Sequence, residues 1–307
     1  MKTKVLIAVV GPTAIGKTSL GILLANHFGA EIISADSRQF FKEMNIGTAV
    51  PSTEELNQAP HHFIQHKSIF EPYSVGDFEK EAIEKLDSLF KLNNIAIVVG
   101  GSGLYVDALV HGLDEFPEVD PSLREKLNLQ LEVEGLESIQ KELKLRDPDY
   151  YEIVDTDNPH RLIRALEVSI TANKPYSSFL NQEKKKRAFQ HGYVGMQAPR
   201  EIIYERINTR VDVMMENGLL EEVRKLYPHR DLNALQTVGY KELFEYLDGH
   251  CSLDFAVSEI KKNTRRFAKR QLTWLRKNPE ILWIDHNASP EDMINRTVEF
   301  VKTIQHA

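Results

Sequence analysis

The chain is poor in cysteine: Cys251 is the single one in 307 residues. That count excludes an internal disulfide and a cysteine-rich zinc site, and it suits a reducing compartment. Long apolar runs are also missing. No stretch approaches the roughly 18 to 20 residues that a membrane span needs, so a soluble, cytoplasmic protein with no membrane partner is expected. Positive charge is not in excess either. Lysine and arginine number 38 against 45 acidic residues, a net charge of −7, which argues against general affinity for nucleic acid. No repeat or low-complexity tract occurs. What the chain does have is 42% hydrophobic residues, enough for a buried core of one large or two modest domains.

The most informative stretch is Gly11-Pro12-Thr13-Ala14-Ile15-Gly16-Lys17-Thr18. It follows the apolar run Val5 to Val10 and precedes Ser19 to Ala25, whose apolar residues recur at helical spacing. The short run leads directly into the glycine loop, so it reads as a first strand and not as a signal sequence. Strand, glycine loop and helix together make a phosphate cradle. Backbone N–H groups and the helix N-terminus face the anion, Lys17 supplies a point charge, and the Thr18 hydroxyl offers a ligand to magnesium. The loop does not say which phosphate compound it holds.

A second apolar segment, Glu31 to Ala35, delivers Asp36-Ser37-Arg38-Gln39 at its C-terminal end. In an open parallel sheet that edge binds ligands, which puts Asp36 beside the phosphate loop. There it can ligate magnesium, cap the next helix or take a proton. The segment His61 to Gln65 reads as a short strand, with the adjacent histidines on opposite faces and no joint metal site. Ile95 to Val99 is a further strand, ending in Gly100-Gly101-Ser102-Gly103. Phosphate-loop hydrolases usually carry a magnesium-shell aspartate at such a place. The glycines here favour close backbone approach over ATP hydrolysis.

Residues 113–187 change character: charged, helical and punctuated by proline. Asp120-Pro121 and Asn158-Pro159 each pair a capping residue with proline at the first helical position. A helical insertion is predicted here, interrupting an α/β core of residues 1–112 and 188–307 that has a phosphate-loop parallel sheet with helices on both faces. Within it, Arg161 and Arg164 lie one turn apart, where a salt-bridged helix is the plain expectation. Lys184-Lys185-Lys186-Arg187 reads as a solvated hinge. Strands are expected at Gly192 to Met196 and Ile281 to Ile284. Between Ile260 and Lys277, eight basic residues (Lys261, Lys262, Arg265, Arg266, Lys269, Arg270, Arg276 and Lys277) occur without an acidic one. At about 100° per residue they occupy one half of a helix, opposite Ile260, Phe267 and Trp274. This pattern predicts a basic stripe for a polyanion.

Taken together, these stretches resemble the tRNA dimethylallyltransferase family, also called tRNA isopentenylpyrophosphate transferases. The resemblance rests on residues 11–18, Ser-Ala-Asp-Ser-Arg-Gln at 34–39, and Ile-Gly-Thr-Ala at 46–49. It continues in Gly-Gly-Ser-Gly-Leu-Tyr at 100–105, the segment from Asn158 to Glu167, Val-Gly-Tyr at 238–240 and Ala-Lys-Arg-Gln-Leu-Thr-Trp-Leu-Arg at 268–276. It implies magnesium-dependent transfer of a dimethylallyl group from dimethylallyl diphosphate to the exocyclic amine of the adenosine 3′ to a tRNA anticodon. The phosphate loop would then hold the leaving diphosphate, with Asp36 as general base and Lys17 and Ser102 in catalytic roles. Contacts to the anticodon stem-loop are implied for Asp36, Ser37, Arg38, Gln39, Ser102, Arg124, Lys241, and His160, Arg161, Leu162, Ile163 and Arg164. The insertion would be a mobile tRNA-binding cover on a monomeric enzyme. Ser102, Lys241 and His160 stand where the family pattern has threonine, arginine and glutamine. Lys241 thus offers a point charge in place of a bidentate fork. Three readings compete: a phosphate-loop small-molecule kinase, a prenyltransferase of free adenine nucleotides, and an RNA-binding module with a vestigial loop.

Overall fold

The computed structural model describes residues 3–180 and 186–306. They divide into two compact units, one of residues 1–111 and 187–307 and one of residues 112–186. In chain order the first unit begins with β1 (Val5–Val10), α1 (Lys17–Phe28), β2 (Ile32–Ser34), α2 (Thr53–Gln58), β3 (His61–His62), α3 (Val75–Leu89), β4 (Ile95–Val99) and α4 (Gly103–His111). The second unit holds α5 (Pro121–Glu134), α6 (Leu136–Arg146), α7 (Pro148–Tyr151) and α8 (Pro159–Ala172). The first then resumes with β5 (Gln190–Gln197), α9 (Arg200–Glu216), α10 (Leu219–Leu226), α11 (Lys241–Leu247), α12 (Leu253–Leu275), β6 (Leu282–Asp285) and α13 (Pro290–His306).

The six strands form one parallel sheet in the order β3-β2-β4-β1-β5-β6. Parallel sheets are covered on both faces, which is why β1 reads as an unbroken apolar run. Its period of two divides that run: Leu6, Ala8 and Val10 enter one buried cluster with Phe40, Phe78 and Tyr240, and Val5, Ile7 and Val9 enter the other with Leu24, Ile207 and Ile284. Each such aliphatic side chain removed from water contributes about 1.5–3 kcal/mol. Because β1 lies between β4 and β5, with β2 beyond β4, the loops after β1, β2 and β4 emerge together at one sheet edge.

The second unit packs its helices around Leu127, Ile139, Leu143, Leu162, Ile163 and Leu166. Its helix starts follow the local code. Asp120 accepts the Ser122 N–H at 2.9 Å and Asn158 the Arg161 N–H at 3.3 Å, each with proline in the first turn. Phe116 stacks on Tyr176 with ring centroids 5.2 Å apart.

Three expectations need correction. The strand near residue 61 stops at His62, because Phe63 and Gln65 take φ values of 64° and 48° and leave the extended conformation. The basic run at 184–187 is not a simple solvated hinge. Lys184 and Lys185 lie outside the described residues, but Arg187 is a half-buried anchor, pairing with Glu79 at 2.5 Å and donating to the Ala108 carbonyl at 2.6 Å. The stripe on α12 is partly neutralised, since Lys261 pairs with Asp212 at 2.5 Å and Lys262 with Glu259 at 2.6 Å; Arg265 keeps its charge but donates to the Asn208 amide at 2.7 Å. Phe267, expected on the packing side, is 38% exposed.

Candidate active site

The loop after β1 turns sharply before α1. Ala14 at φ 65° and Gly16 at φ 109° both adopt left-handed backbone, which aims successive N–H groups at a common space. Lys17 opens α1 and is half-buried, its Nζ donating to the Pro12 carbonyl at 2.9 Å. Burial lowers its pKa to about 8; nearby Asp36 opposes that shift and Arg210 adds to it. Lys17 and Thr18 line a cavity of about 1150 Å³, at the upper end of ligand-site volumes.

The other two strand ends reach the same cavity. Asp36 follows β2, and its Oδ1 accepts the Arg38 N–H at 3.1 Å. Its negative charge acts on three cations, Lys17, Arg38 and Arg210. After β4, the Ser102 hydroxyl accepts the Ser37 N–H at 3.3 Å and lies 3.2 Å from the Ser37 hydroxyl. This close approach depends on glycine, since a Cβ on Gly100 would stand 2.7 Å from the Ala35 carbonyl oxygen. The structure therefore brings Asp36, Ser37, Ser102 and the 11–18 loop to one place. Such a space has room for an anion beside a carboxylate.

Comparison with known proteins gives the family. The family model for IPP transferases matches residues 39–278. The chain belongs to the IPP transferase family. A tRNA dimethylallyltransferase of Christiangramia forsetii is 60% identical over 290 residues, covering 94% of this chain and 96% of the relative. One from Flavobacterium johnsoniae is 57% identical over 306 residues, covering 98% and 99%. Among solved structures, the tRNA isopentenylpyrophosphate transferase of Bacillus halodurans superposes with a TM-score of 0.73 at 35% identity, covering 99% of this chain and 97% of that one. A eukaryotic dimethylallyltransferase acting on tRNA gives 0.84 at 26% identity, covering 98% and 80%.

In this chain, several residues named from the sequence are committed to architecture. Arg38 donates to the Ala234 carbonyl at 3.0 Å, and Gln39 to those of Thr48 and Ala49 at 3.3 and 2.9 Å. Lys241 is exposed at the N-terminus of α11 and lines the cavity. On α8, His160 and Arg161 are exposed, but Leu162 and Ile163 are buried in the helical core, so their side chains do not face a ligand. This corrects the expected contact set; helical periodicity turns those two positions inward. Arg124 and Arg164 both engage the buried Glu167, Arg124 through two donors and Arg164 at 3.6 Å. Arg164 also lies over the Phe116 ring at 5.3 Å.

Three residues at or next to this cavity were not singled out from the sequence. Arg210 lines the cavity from α9, one turn beyond the buried Ile207 and two beyond Ile203. A cation in register with an apolar stripe was the available signal. Gln271 is buried on α12 between Ala268 and Leu275. Its Oε1 accepts the Thr13 N–H at 2.8 Å and its Nε2 donates to the Gly101 carbonyl at 2.7 Å. Glu222 accepts from the N–H groups of Asn45, Ile46 and Gly47 and from the Tyr240 hydroxyl at 2.7–3.1 Å, fixing a loop at the cavity rim.

Proposed function

We propose that this chain transfers a dimethylallyl group from dimethylallyl diphosphate to the exocyclic amine of the adenosine 3′ to a tRNA anticodon, releasing diphosphate. The observation that carries the reading is the opposition of Asp36 to Lys17 and Arg210 within one cavity. Relatives that match nearly the whole chain are named tRNA dimethylallyltransferases. The diphosphate sits on the 11–18 loop, where Lys17 and Arg210 offset the charge that develops as the carbon–oxygen bond breaks. The adenine amine attacks the allylic carbon, its nitrogen forming the new bond while the diphosphate oxygen leaves with the electron pair. Asp36 accepts the proton lost from that nitrogen. An adenine amine is a poor nucleophile because its lone pair is delocalised, so removal of the proton during attack favours the transition state.

The donor set suits magnesium only in company with a substrate. Thr18 lines the cavity with a hard hydroxyl oxygen, and no group of three His, Cys, Asp or Glu side chains able to hold a metal occurs among the described residues. Mg²⁺ is commonly bound by one or two protein oxygens plus substrate phosphates and water. Thr18 would hold it there, and the ion would screen the diphosphate as the allylic bond opens. Ser102 orders Ser37 beside the base. On the helical unit, Arg124, His160, Arg161 and Arg164 meet the phosphates of the anticodon stem-loop. The target adenosine leaves the loop stack to enter the cavity, a smaller cost in a loop than in a duplex.

Incubation with labelled dimethylallyl diphosphate and unmodified tRNA, with and without magnesium, followed by nucleoside analysis, tests the reading. Label on the adenosine beside the anticodon is expected, and only with magnesium. Phosphorylation of a nucleotide from ATP without prenyl transfer would replace it with the kinase reading.

A further inference from the structure

Helix α12 contributes more to the cavity than charge. Gln271 is 7% exposed and stands in a stripe with the buried Ala268 and Leu275, so its backbone position is set by packing. Its carboxamide has both ends satisfied, and chemistry fixes which end is which. The Thr13 N–H needs an acceptor and the Gly101 carbonyl needs a donor, at 2.8 and 2.7 Å. Neither a carboxylate nor a thioether of the same length meets both demands. One side chain therefore joins the phosphate loop to the loop that carries Ser102. Gly101 belongs to the same device: a Cβ there would stand 2.6 Å from Gln271 Nε2. One turn on, Trp274 packs against Gly103, where a Cβ would fall 2.6 Å from the indole, and its Nε1 donates to Asp107 at 3.0 Å.

We propose that Gln271 is a positioning residue that sets the spacing between the diphosphate loop and the Ser102 loop and, through the bonds of Ser102 to Ser37, between the leaving group and the proton acceptor Asp36. The inference rests on the transfer reaction given above. Gln271 lines the cavity, but both ends of its amide are committed to the backbone of Thr13 and Gly101, and it acts through them. A displacement of about 1 Å between reacting groups costs on the order of 10²-fold in rate, which sets the expected effect.

The test is a double-mutant cycle with Gln271→Met and Gly101→Ala, measured as kcat, KM for tRNA, affinity for inorganic diphosphate and unfolding midpoint. Each single change is expected to lower kcat about 10²-fold with the KM for tRNA and the midpoint unchanged. The double variant is expected to be no worse than the poorer single one, because both remove the same amide contact. Multiplicative losses would overturn the proposal, as would a Gln271→Met kcat within about twofold of wild type or a loss confined to the KM for tRNA. Should Gln271→Met lower the midpoint, Gln271→Glu keeps the volume and the Thr13 acceptor but lacks the donor to Gly101. Undiminished kcat in that variant would equally overturn it. Wild-type protein that prenylates no tRNA defeats the reaction reading instead; the spacing claim then stands or falls on diphosphate affinity across the same cycle.

Discussion

Lys17 makes diphosphate binding sensitive to pH in a direction that follows from its surroundings. Burial holds its pKa near 8 in place of the ordinary 10.5, so about nine-tenths of the free protein carries the ammonium at pH 7 and about one-tenth at pH 9. A bound anion favours the charged form. Affinity for inorganic diphosphate should thus be full below about pH 8 and fall roughly tenfold by pH 9, or about 1.4 kcal/mol. Near pH 8, binding should take up about half a proton. Calorimetry in buffers of different ionisation enthalpy, at fixed free magnesium, reads both quantities. Lys17→Arg, whose guanidinium stays charged, reports the ligand's own protonation and should take up correspondingly less. The same shift has a consequence for folding. Between about pH 8 and 10.5 the unfolded chain holds the proton that the native site has lost, so the contribution of Lys17 to stability rises with pH over that window. Equal proton uptake by wild type and Lys17→Arg, or proton release, would refute the argument.

Asp36→Asn keeps the shape of the side chain and removes the proton acceptor; kcat should fall about 10²–10⁴-fold while diphosphate affinity is retained, and loss of both would make Asp36 structural. In Glu222→Gln one oxygen becomes a donor, so about two of its four hydrogen bonds are lost at a cost of about 2–4 kcal/mol; a denaturant midpoint unchanged from wild type would contradict this. The pair Arg161→Ala and Arg164→Ala should weaken tRNA binding and flatten its dependence on log[salt] by about 1–2 units. The exposed Arg161 should account for more of that change than Arg164, which already shares Glu167. An unaltered salt slope would remove both from the interface.

The sheet is legible in the sequence because buried parallel strands are continuous apolar runs; β1 and β4 stand out from the order of residues alone. The convergence of Lys17, Asp36 and Ser102 is legible for a related reason, since strand ends of a parallel sheet meet at one edge. Polar residues on helices are another matter. Gln271, Arg210 and Glu222 look like ordinary surface residues until the phase of the neighbouring apolar stripe is known. Arg187 is hidden in a run of lysines, and the partners that anchor it, Glu79 and Ala108, are distant in sequence. Family likeness alone places Leu162 and Ile163 among RNA contacts, against their own helical phase. Acidic residues from another element and from the preceding turn, Asp212 and Glu259, reduce the stripe on α12; the window from Ile260 to Lys277 contains neither.

The indole that packs on Gly103 gives the site its own optical reporter. The chain has two tryptophans, and of these Trp274 lines the cavity. With Trp283→Phe as background, the remaining fluorophore sits beside the loop bearing Ser102, held by its bond to Asp107. Its emission, and its quenching by added ligands, are expected to follow occupancy in real time and without a label.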